Sequence, residues 1–297
     1  MNRSYIPGYM ISQGYPDRRP IHMGTYHAVA EIESEKFFGA VQSLEVYEKD
    51  ERIRIYDFLC EHQIELTYCL ARDMGEHGLN LSSLDENLRK KSVDYVISRI
   101  ESAKEIGSKA IQLVSGKYPG DEYRFDALEQ LKRSLSDIVF EYKKHSNIEV
   151  LIEPLDYFCD KKGSLGTIPE ALHMCESIPG LNVCLDTAHM LLNGENIVYM
   201  SNLASGYSPE FHFCNAILDK GNELFGDKHI PVWMKGDMDE QKVFSTTEEL
   251  KKSGFWHSER KKRVFFEMYG PSTDKTPLEL IKYCKNMFYK LDEIIGG

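Results

Sequence analysis

The chain has 297 residues, with 36 Lys and Arg residues against 47 Asp and Glu residues, which gives a formal net charge of −11. Its hydrophobic fraction of 42% is enough for a sizeable core, and this excludes intrinsic disorder and small disulfide scaffolds. The acidic balance disfavours broad electrostatic binding of nucleic acid. We therefore expect a small polar substrate and no nucleic-acid partner.

The absence of targeting signals predicts a cytoplasmic protein. No run approaches the roughly 18 apolar residues that span a bilayer, and residues 1–24 lack the basic start and apolar stretch of a signal peptide, so we expect no membrane partner. The seven cysteines form no CxxC pair, which favours buried free thiols in a reducing compartment over a thiolate zinc site. With no repeat or linker, we expect one domain over residues 1–297, with residues 1–20 as an N-terminal extension. We also expect a homo-oligomer.

Short apolar runs typical of β-strands alternate with longer amphipathic stretches from about residue 40 onward, as in βα units around a parallel sheet. A first, weaker strand is predicted at Ile21–His27. Seven clearer strands follow in chain order: Ala40–Tyr47, Ile64–Leu70, Ala110–Ser115, Ile148–Pro154, Leu181–Thr187, Glu210–Ala216 and Arg263–Met268. The count favours the α/β class and a single (β/α)8 TIM barrel over a flavodoxin-like open sheet of five or six strands.

Helix starts support the same alternation. Four sites have a hydroxyl residue and a glutamate at the spacing of a capping box, and each is predicted to begin a helix: Ser83-x-x-Glu86, Thr167-x-x-Glu170, Ser245-x-x-Glu248 and Thr276-x-x-Glu279.

Two further segments carry specific expectations. A long connection, about residues 217–244, is predicted to cover the substrate, with a contact between subunits as the alternative. The charged run Glu259–Arg263, just before the last strand, is predicted to lie at the solvated opposite end of the barrel.

Charged residues interrupt the apolar strands in an informative way. Three strands end at carboxylates, Glu153, Asp186 and Glu267, and a fourth carries His212. In a parallel barrel these ends meet at one rim, where three carboxylates would repel one another unless a cation compensated them. Three oxygen ligands and one imidazole favour Mn²⁺, Co²⁺ or Mg²⁺, with Zn²⁺ also open. The alternative for each acid alone is a solvated strand end or a helix N-cap.

At these residues the chain resembles the xylose isomerase-like TIM-barrel superfamily, which contains sugar isomerases and epimerases, inosose dehydratases and apurinic endonucleases of the endonuclease IV type. The resemblance covers about residues 20–290. It is carried by Ile-Glu-Pro-Leu at 152–155, Leu-Asp-Thr-Ala-His at 185–189, the strand histidine His212 and Phe-Glu at 266–267.

The resemblance implies a site. In ketose 3-epimerases of this superfamily the equivalent residues bind one divalent ion, commonly Mn²⁺, which implies Glu153, Asp186, His212 and Glu267 as its ligands. The family's histidine three residues after the aspartate contacts the substrate, which implies that role for His189. The two glutamates lie on opposite faces of the reacting carbon in those epimerases, which implies Glu153 and Glu267 as the catalytic pair.

The sequence also departs from the epimerases. Cys159 and Leu218 stand where those enzymes carry a substrate-binding Glu and Arg. The string Asp227-Lys228-His229 resembles the Asp-x-His that completes the zinc cluster of the endonuclease branch. That branch also has two zinc-binding histidines on early barrel strands, whereas the third and fourth predicted strands here have Arg72 and Ser115 near their ends. For Asp227 and His229 we weigh substrate contact against plain loop hydrogen bonding.

The implied activity is that of a divalent-metal-dependent sugar isomerase or epimerase of carbohydrate metabolism, which removes a proton next to a carbonyl and passes through an enediolate. One alternative is a metal-dependent lyase acting on a keto-sugar or inosose, of the dehydratase or C-glycoside-cleaving type. A second is a non-catalytic sugar-binding or assembly subunit. A nuclease is the remaining, weaker alternative.

Overall fold

The computed structural model describes residues 3–15, 17–257, 260–269 and 275–296. Eight parallel strands close a barrel in the order β1, β2, β3, β4, β5, β6, β7, β9, with β9 beside β1. The short strand β8 pairs antiparallel with β7 outside this ring. The prediction of a single (β/α)8 TIM barrel is confirmed. Within the described ranges the strands are β1 Tyr5–Met10, β2 Ala40–Ser43, β3 Glu65–Cys69, β4 Ala110–Val114, β5 Glu149–Glu153, β6 Leu181–Asp186, β7 Glu210–Ile217, β8 Gly226–Ile230 and β9 Lys262–Glu267.

The helices of the described ranges follow or connect these strands. They are α1 Ile11–Gly14, α2 Gly24–Ser34, α3 Lys49–His62, α4 Ala71–Glu76, α5 Glu86–Ser98, α6 Ile100–Glu105, α7 Arg124–His145, α8 Ile168–Ser177, α9 Thr187–Leu192, α10 Ile197–Leu203, α11 Glu240–Lys252 and α12 Pro277–Gly296. None of them is both long enough and apolar enough to cross a membrane.

Strand register aligns the carboxyl ends at one rim. Asp186 of β6 pairs with His212 of β7, and Cys214 of β7 pairs with Glu267 of β9. Glu153 is the last residue of β5 and pairs with Val114 of β4. Because β5, β6, β7 and β9 are neighbours around the barrel, their polar ends are brought side by side.

The seven clearer strand predictions are confirmed, but the prediction at Ile21–His27 is wrong. That segment leads into α2, and the first strand is β1, within the expected N-terminal extension. The sequence does not predict β1 because it contains Pro7 and Gly8, which are both unfavourable inside strands. Gly8 is required there because a Cβ at this position would overlap the Phe265 ring.

Two of the four capping boxes form. The Thr167 box with Glu170 begins α8, and Thr276 and Glu279 hydrogen bond reciprocally at the start of α12. The other two predictions are wrong because an aspartate caps each helix instead. In α5 the cap is Asp85, and in α11 it is Asp239, which leaves Ser245 inside the helix.

The long connection after β7 is structured. It contains β8. The Asn215 side chain of β7 holds the segment after β8 in place: Nδ2 donates to Pro231 O at 3.2 Å and to Met234 O at 2.9 Å, and Oδ1 accepts from Met238 N at 2.9 Å. Residues 218–223 at its tip are exposed. The connection therefore brings β8 to the rim, beside the strand ends.

The expectation of a solvated charged run before β9 is wrong at its end. Glu259 lies outside the described residues, but Lys262 and Arg263 are each only 2% exposed. Their burial is compensated, because Lys262 donates to backbone carbonyls and Arg263 pairs with Glu210 inside the barrel. The sequence places these cations in a run but does not show their acidic and carbonyl partners.

Candidate metal centre

Four of the predicted site residues meet at the rim. One ligand atom from each lies within 4.8 Å of the others: Glu153, Asp186, His212 and Glu267. His212 Nδ1 lies 2.9 Å from Glu267 Oε2 and 3.9 Å from a carboxylate oxygen of both Glu153 and Asp186. Ligand bonds of about 2.0–2.3 Å around one ion fit separations of this size. The donor set therefore fits one divalent cation.

Asp186 has two functions in the geometry. Its Oδ1 accepts from Ala188 N at 2.8 Å and His189 N at 3.1 Å, so it caps α9. Its Oδ2 faces His212. The N-cap interpretation and the ligand interpretation, which the sequence leaves as alternatives, are thus compatible in one carboxylate.

Glu153 and Glu267 are more exposed than the other two ligands, and their own pKa values are shifted in opposite directions. Glu153 and Glu267 line a cavity, whereas the side chains of Asp186 and His212 are fully buried behind them. Burial and the nearby Glu267 carboxylate raise the pKa of Glu153 to about 7. Burial alone would also raise the pKa of Glu267, but His229 and His212 outweigh it and lower that pKa.

A second cluster adjoins the first. Ligand atoms of His189, Asp227 and His229 lie within 4.8 Å of one another. The Asp227 side chain is fully buried, and Lys161 Nζ lies 3.0 Å from its Oδ2 and His229 Nε2 3.2 Å from its Oδ1. Among the described residues, the two carboxylate oxygens of Asp227 and Nε2 of His229 have no hydrogen bond of good geometry. These buried atoms are the ligand atoms that a second cation would need, in place of the ion pairs that Asp227 makes with Lys161 and His229.

The two ring nitrogens of His189 face different residues. Its Nδ1 accepts from Asp156 N at 3.3 Å, and its Nε2 lies 3.9 Å from Glu153 Oε1. In the neutral ring the proton is then on Nε2, which faces the cavity. This N–H is placed to donate to an oxygen of a bound molecule.

The cavity beside the four-residue cluster has a volume of about 540 Å³. Its floor carries carboxylates, and its wall carries three cations from different connections, Arg72, Lys117 and Lys161. Cys159 and Leu218 are not among the described residues that line it, so the two positions that depart from the epimerases do not face this space.

Sequence reasoning missed several residues that touch the cluster. Gln112 Nε2 donates to Glu153 Oε2 at 2.6 Å, Cys214 Sγ lies 2.5 Å from Asp186 Oδ2, and Tyr269 lines the cavity. All seven cysteines are free thiols. Two signals were present: Gln112 interrupts an apolar strand, and Cys214 is two residues from His212, so both side chains point to the same face of β7.

Comparison with known proteins gives the family and two groups of relatives. A family model described as xylose isomerase-like TIM barrel matches residues 30–282. A probable endonuclease 4 of Sulfurihydrogenibium sp. is 28% identical over 132 residues, which are 43% of this chain and 44% of that protein. A probable endonuclease 4 of Mycoplasmopsis pulmonis is 31% identical over 108 residues, 36% of this chain and 38% of that protein. These matches span less than half the length of the relatives.

Solved structures share the fold over nearly all of the chain. D-psicose 3-epimerase in the presence of D-fructose is similar with a TM-score of 0.73 and 16% identity, over 98% of this chain and 100% of that chain. The IolI protein with a bound zinc atom has a TM-score of 0.74 and 12% identity, over 98% of both chains. At these identities the likeness concerns the fold.

Proposed function

The chain belongs to the xylose isomerase-like TIM-barrel family, and from that premise we propose that it is a divalent-metal-dependent sugar isomerase or epimerase with Mn²⁺ as the first candidate ion. One observation carries the proposal. Of the four clustered residues, the two glutamates reach the cavity while Asp186 and His212 lie buried behind them. This division suits a site in which four residues hold an ion and two of them also reach a substrate.

The residues present define the chemistry. Glu153, Asp186, His212 and Glu267 would hold the ion, which supplies polarisation of a carbonyl and stabilisation of an enediolate. Glu153 and Glu267, the two ligands that reach the cavity, would be the pair that removes and returns the proton. His189 Nε2 donates to a substrate oxygen. Return of the proton to the opposite face gives epimerisation, and return to the neighbouring carbon gives isomerisation.

The test follows hydrogen exchange. Metal-free protein reloaded with Mn²⁺ is incubated in D₂O with ketoses, inososes and keto-glycosides, and NMR monitors deuterium at the carbon next to the carbonyl. We expect exchange with at least one ketose, dependent on the added ion. Loss of a β-substituent from an inosose or keto-glycoside would identify the lyase alternative instead. Binding of a sugar with no exchange or elimination would identify a non-catalytic protein.

A second candidate function rests on the His189, Asp227 and His229 cluster. If it holds a second ion, the paired ions would suit hydrolysis of a phosphate ester, since two cations stabilise the attacking and leaving oxygens. The names of the curated relatives agree with this candidate. Elemental analysis separates the two proposals: one ion per chain supports the isomerase, and two ions with salt-sensitive cleavage of abasic DNA support the hydrolase.

A further inference from the structure

A buried polar network lies inside the barrel below the metal centre. Its central residue is Glu210, at the start of β7, whose side chain is fully buried. The interior of a TIM barrel is usually filled by branched apolar side chains. A carboxylate there is costly unless its oxygens are paired, so its partners show what the residue is positioned to do.

Both oxygens of Glu210 are fully engaged. Oε2 accepts from Thr67 Oγ1 at 2.6 Å and from Arg263 Nε at 2.9 Å. Oε1 accepts from Gln42 Nε2 at 3.1 Å and lies 3.2 Å from His212 Nε2. Oε2 is thus anchored by the barrel, while Oε1 faces two side chains that lead to the metal centre.

The first branch reaches His212 directly. Because a carboxylate only accepts hydrogen bonds, Glu210 fixes a proton on Nε2 of the imidazole. Nδ1, on the other side of the ring, faces Glu267 at 2.9 Å and the other carboxylates of the cluster, so an ion held there would replace the proton on Nδ1 while Glu210 keeps the proton on Nε2. Cys184 Sγ also lies near this proton, 3.4 Å from Nε2, but a thiol sulfur is a weaker acceptor than a carboxylate oxygen. Glu210 therefore selects which nitrogen is free to bind an ion.

The second branch reaches Glu153 through two amides. Gln42 must turn its NH₂ group toward Glu210, and the same group donates to Gln112 Oε1. Gln112 then has its own NH₂ group free for Glu153 Oε2, 2.6 Å away. One acceptor-only residue thus determines the orientation of both amides, and through them the rotamer of Glu153.

We propose that Glu210 is a positioning residue that orients His212 and Glu153 of the metal centre along these two branches. The inference rests on the proposed function in one respect, since it requires an ion at the four-residue cluster. It goes beyond that function because Glu210 neither supplies a ligand atom to the four-residue cluster nor lines the cavity. The alternative is a purely structural role, in which Glu210 serves only to neutralise the buried charge of Arg263.

The deciding variant is Glu210→Gln, which keeps size and one acceptor but presents an NH₂ group to one of the partners. We expect its Mn²⁺ affinity, measured by chelator competition, to fall by about 10–100-fold, the usual effect of losing a partner of a metal-binding histidine. The matched control is Glu65→Gln. Glu65 also pairs with Arg263, at 3.1 Å, but lies at the opposite end of the barrel, and its variant should bind Mn²⁺ as the wild type does.

Two further measurements exclude a merely structural effect. In Zn²⁺-loaded protein with ¹⁵N-labelled histidine, NMR should show a protonated Nε2 on His212 in the wild type and Glu65→Gln, with that proton signal shifted in Glu210→Gln. If Glu210→Gln does not fold, Gln112→Leu tests the second branch alone: it should weaken Mn²⁺ binding and leave the His212 signal unchanged.

The outcomes separate the two proposals. Equally tight Mn²⁺ binding by the wild type and Glu210→Gln, even with a lower melting temperature, would overturn this inference alone, as would a His212 protonated on Nδ1. A wild-type protein that binds no divalent ion would overturn the proposed function and the inference together.

Discussion

The two halves of the barrel contribute different chemistry to the same cavity. The half formed by β5, β6, β7 and β9, with β8, supplies every carboxylate and imidazole of the two clusters. The half formed by β1 to β4 supplies Gln42 and Gln112 near its strand ends, together with Arg72 and Lys117 from the following connections. An ion would therefore lie to one side of the barrel axis, opposite a wall of amides and cations.

This asymmetry separates two requirements of the site. Four neighbouring strands are enough to surround an ion, because their ends are adjacent around the ring. The remaining strands are free to contact whatever occupies the cavity. The comparison predicts that substitutions in the ligand half change chemistry and ion binding, whereas substitutions of the cations in the opposite half change substrate affinity. Gln42 and Gln112 are the exception in the opposite half, because they lead to Glu153.

The largest effect is expected from the two cavity-facing glutamates. Glu153→Gln and Glu267→Gln each keep a coordinating oxygen but lose the proton-transfer group, so turnover should fall by roughly 10²–10⁴-fold. For an epimerase, one variant should still exchange substrate hydrogen with D₂O from one epimer without forming the other. Glu65→Gln, at the far end of the barrel, is the control. Metal-loaded variants with wild-type turnover would refute the two-carboxylate mechanism.

The next effect concerns ion binding itself. Asp186→Ala should lower the affinity for Mn²⁺ by more than about 100-fold, the upper range for loss of a supporting residue alone. It should also abolish the rise in melting temperature that added Mn²⁺ gives the wild type, since an ion that binds only the folded state stabilises it. Elemental analysis and thermal unfolding measure both. Cys69→Ser, at the end of β3 in the opposite half, should retain the ion.

The same contrast shows how far the sequence alone leads. The ligand half was predictable because three of its strands are clear apolar runs that end in a carboxylate, as at Glu153 and Asp186, and the fourth carries His212. In the opposite half β2, β3 and β4 were predicted, but β1 was not, because it contains Pro7 and Gly8 and its position is explained only by the Phe265 ring that packs against it.

The network below the site was equally hidden from the sequence. Glu210 and Arg263 are read as charges at strand starts, and such charges are usually solvated. Only closure of the barrel brings β7 and β9 together so that the two charges pair at 2.9 Å. Partners far apart in the chain, here 53 residues, leave no local pattern.

A smaller effect is expected from pH. Because the pKa of Glu153 is raised to about 7 in the ion-free protein, a proton competes with the ion below that pH. Mn²⁺ affinity should therefore fall as the pH falls through about 7, by up to about tenfold per pH unit for this one proton. In the ion-free protein the folded state holds this proton more tightly than the unfolded state, so its stability should decrease as the pH rises toward 7.

Titration of Mn²⁺ binding at several pH values, by chelator competition, measures this dependence. Glu153→Gln removes the titrating group and serves as the comparison, since its affinity should vary less with pH. Identical pH profiles for the variant and the wild type would show that the proton competing with the ion is not on Glu153.

The smallest effect is expected in the opposite half. Arg72 and Lys117 line the cavity from the connections after β3 and β4, and neither belongs to the metal cluster. Arg72→Ala and Lys117→Ala should each raise KM by about tenfold, as for loss of one charge-assisted hydrogen bond to substrate, with kcat and Mn²⁺ content near wild type. Lys90→Ala, an exposed cation of the outer helix α5, is the matched control for charge. A fall in kcat or in bound Mn²⁺ in the two cavity variants would contradict this prediction, because these two cations would then act on the ion or the reacting carbon. An unchanged KM would place both cations outside the substrate's reach and limit recognition to the ligand half and His189.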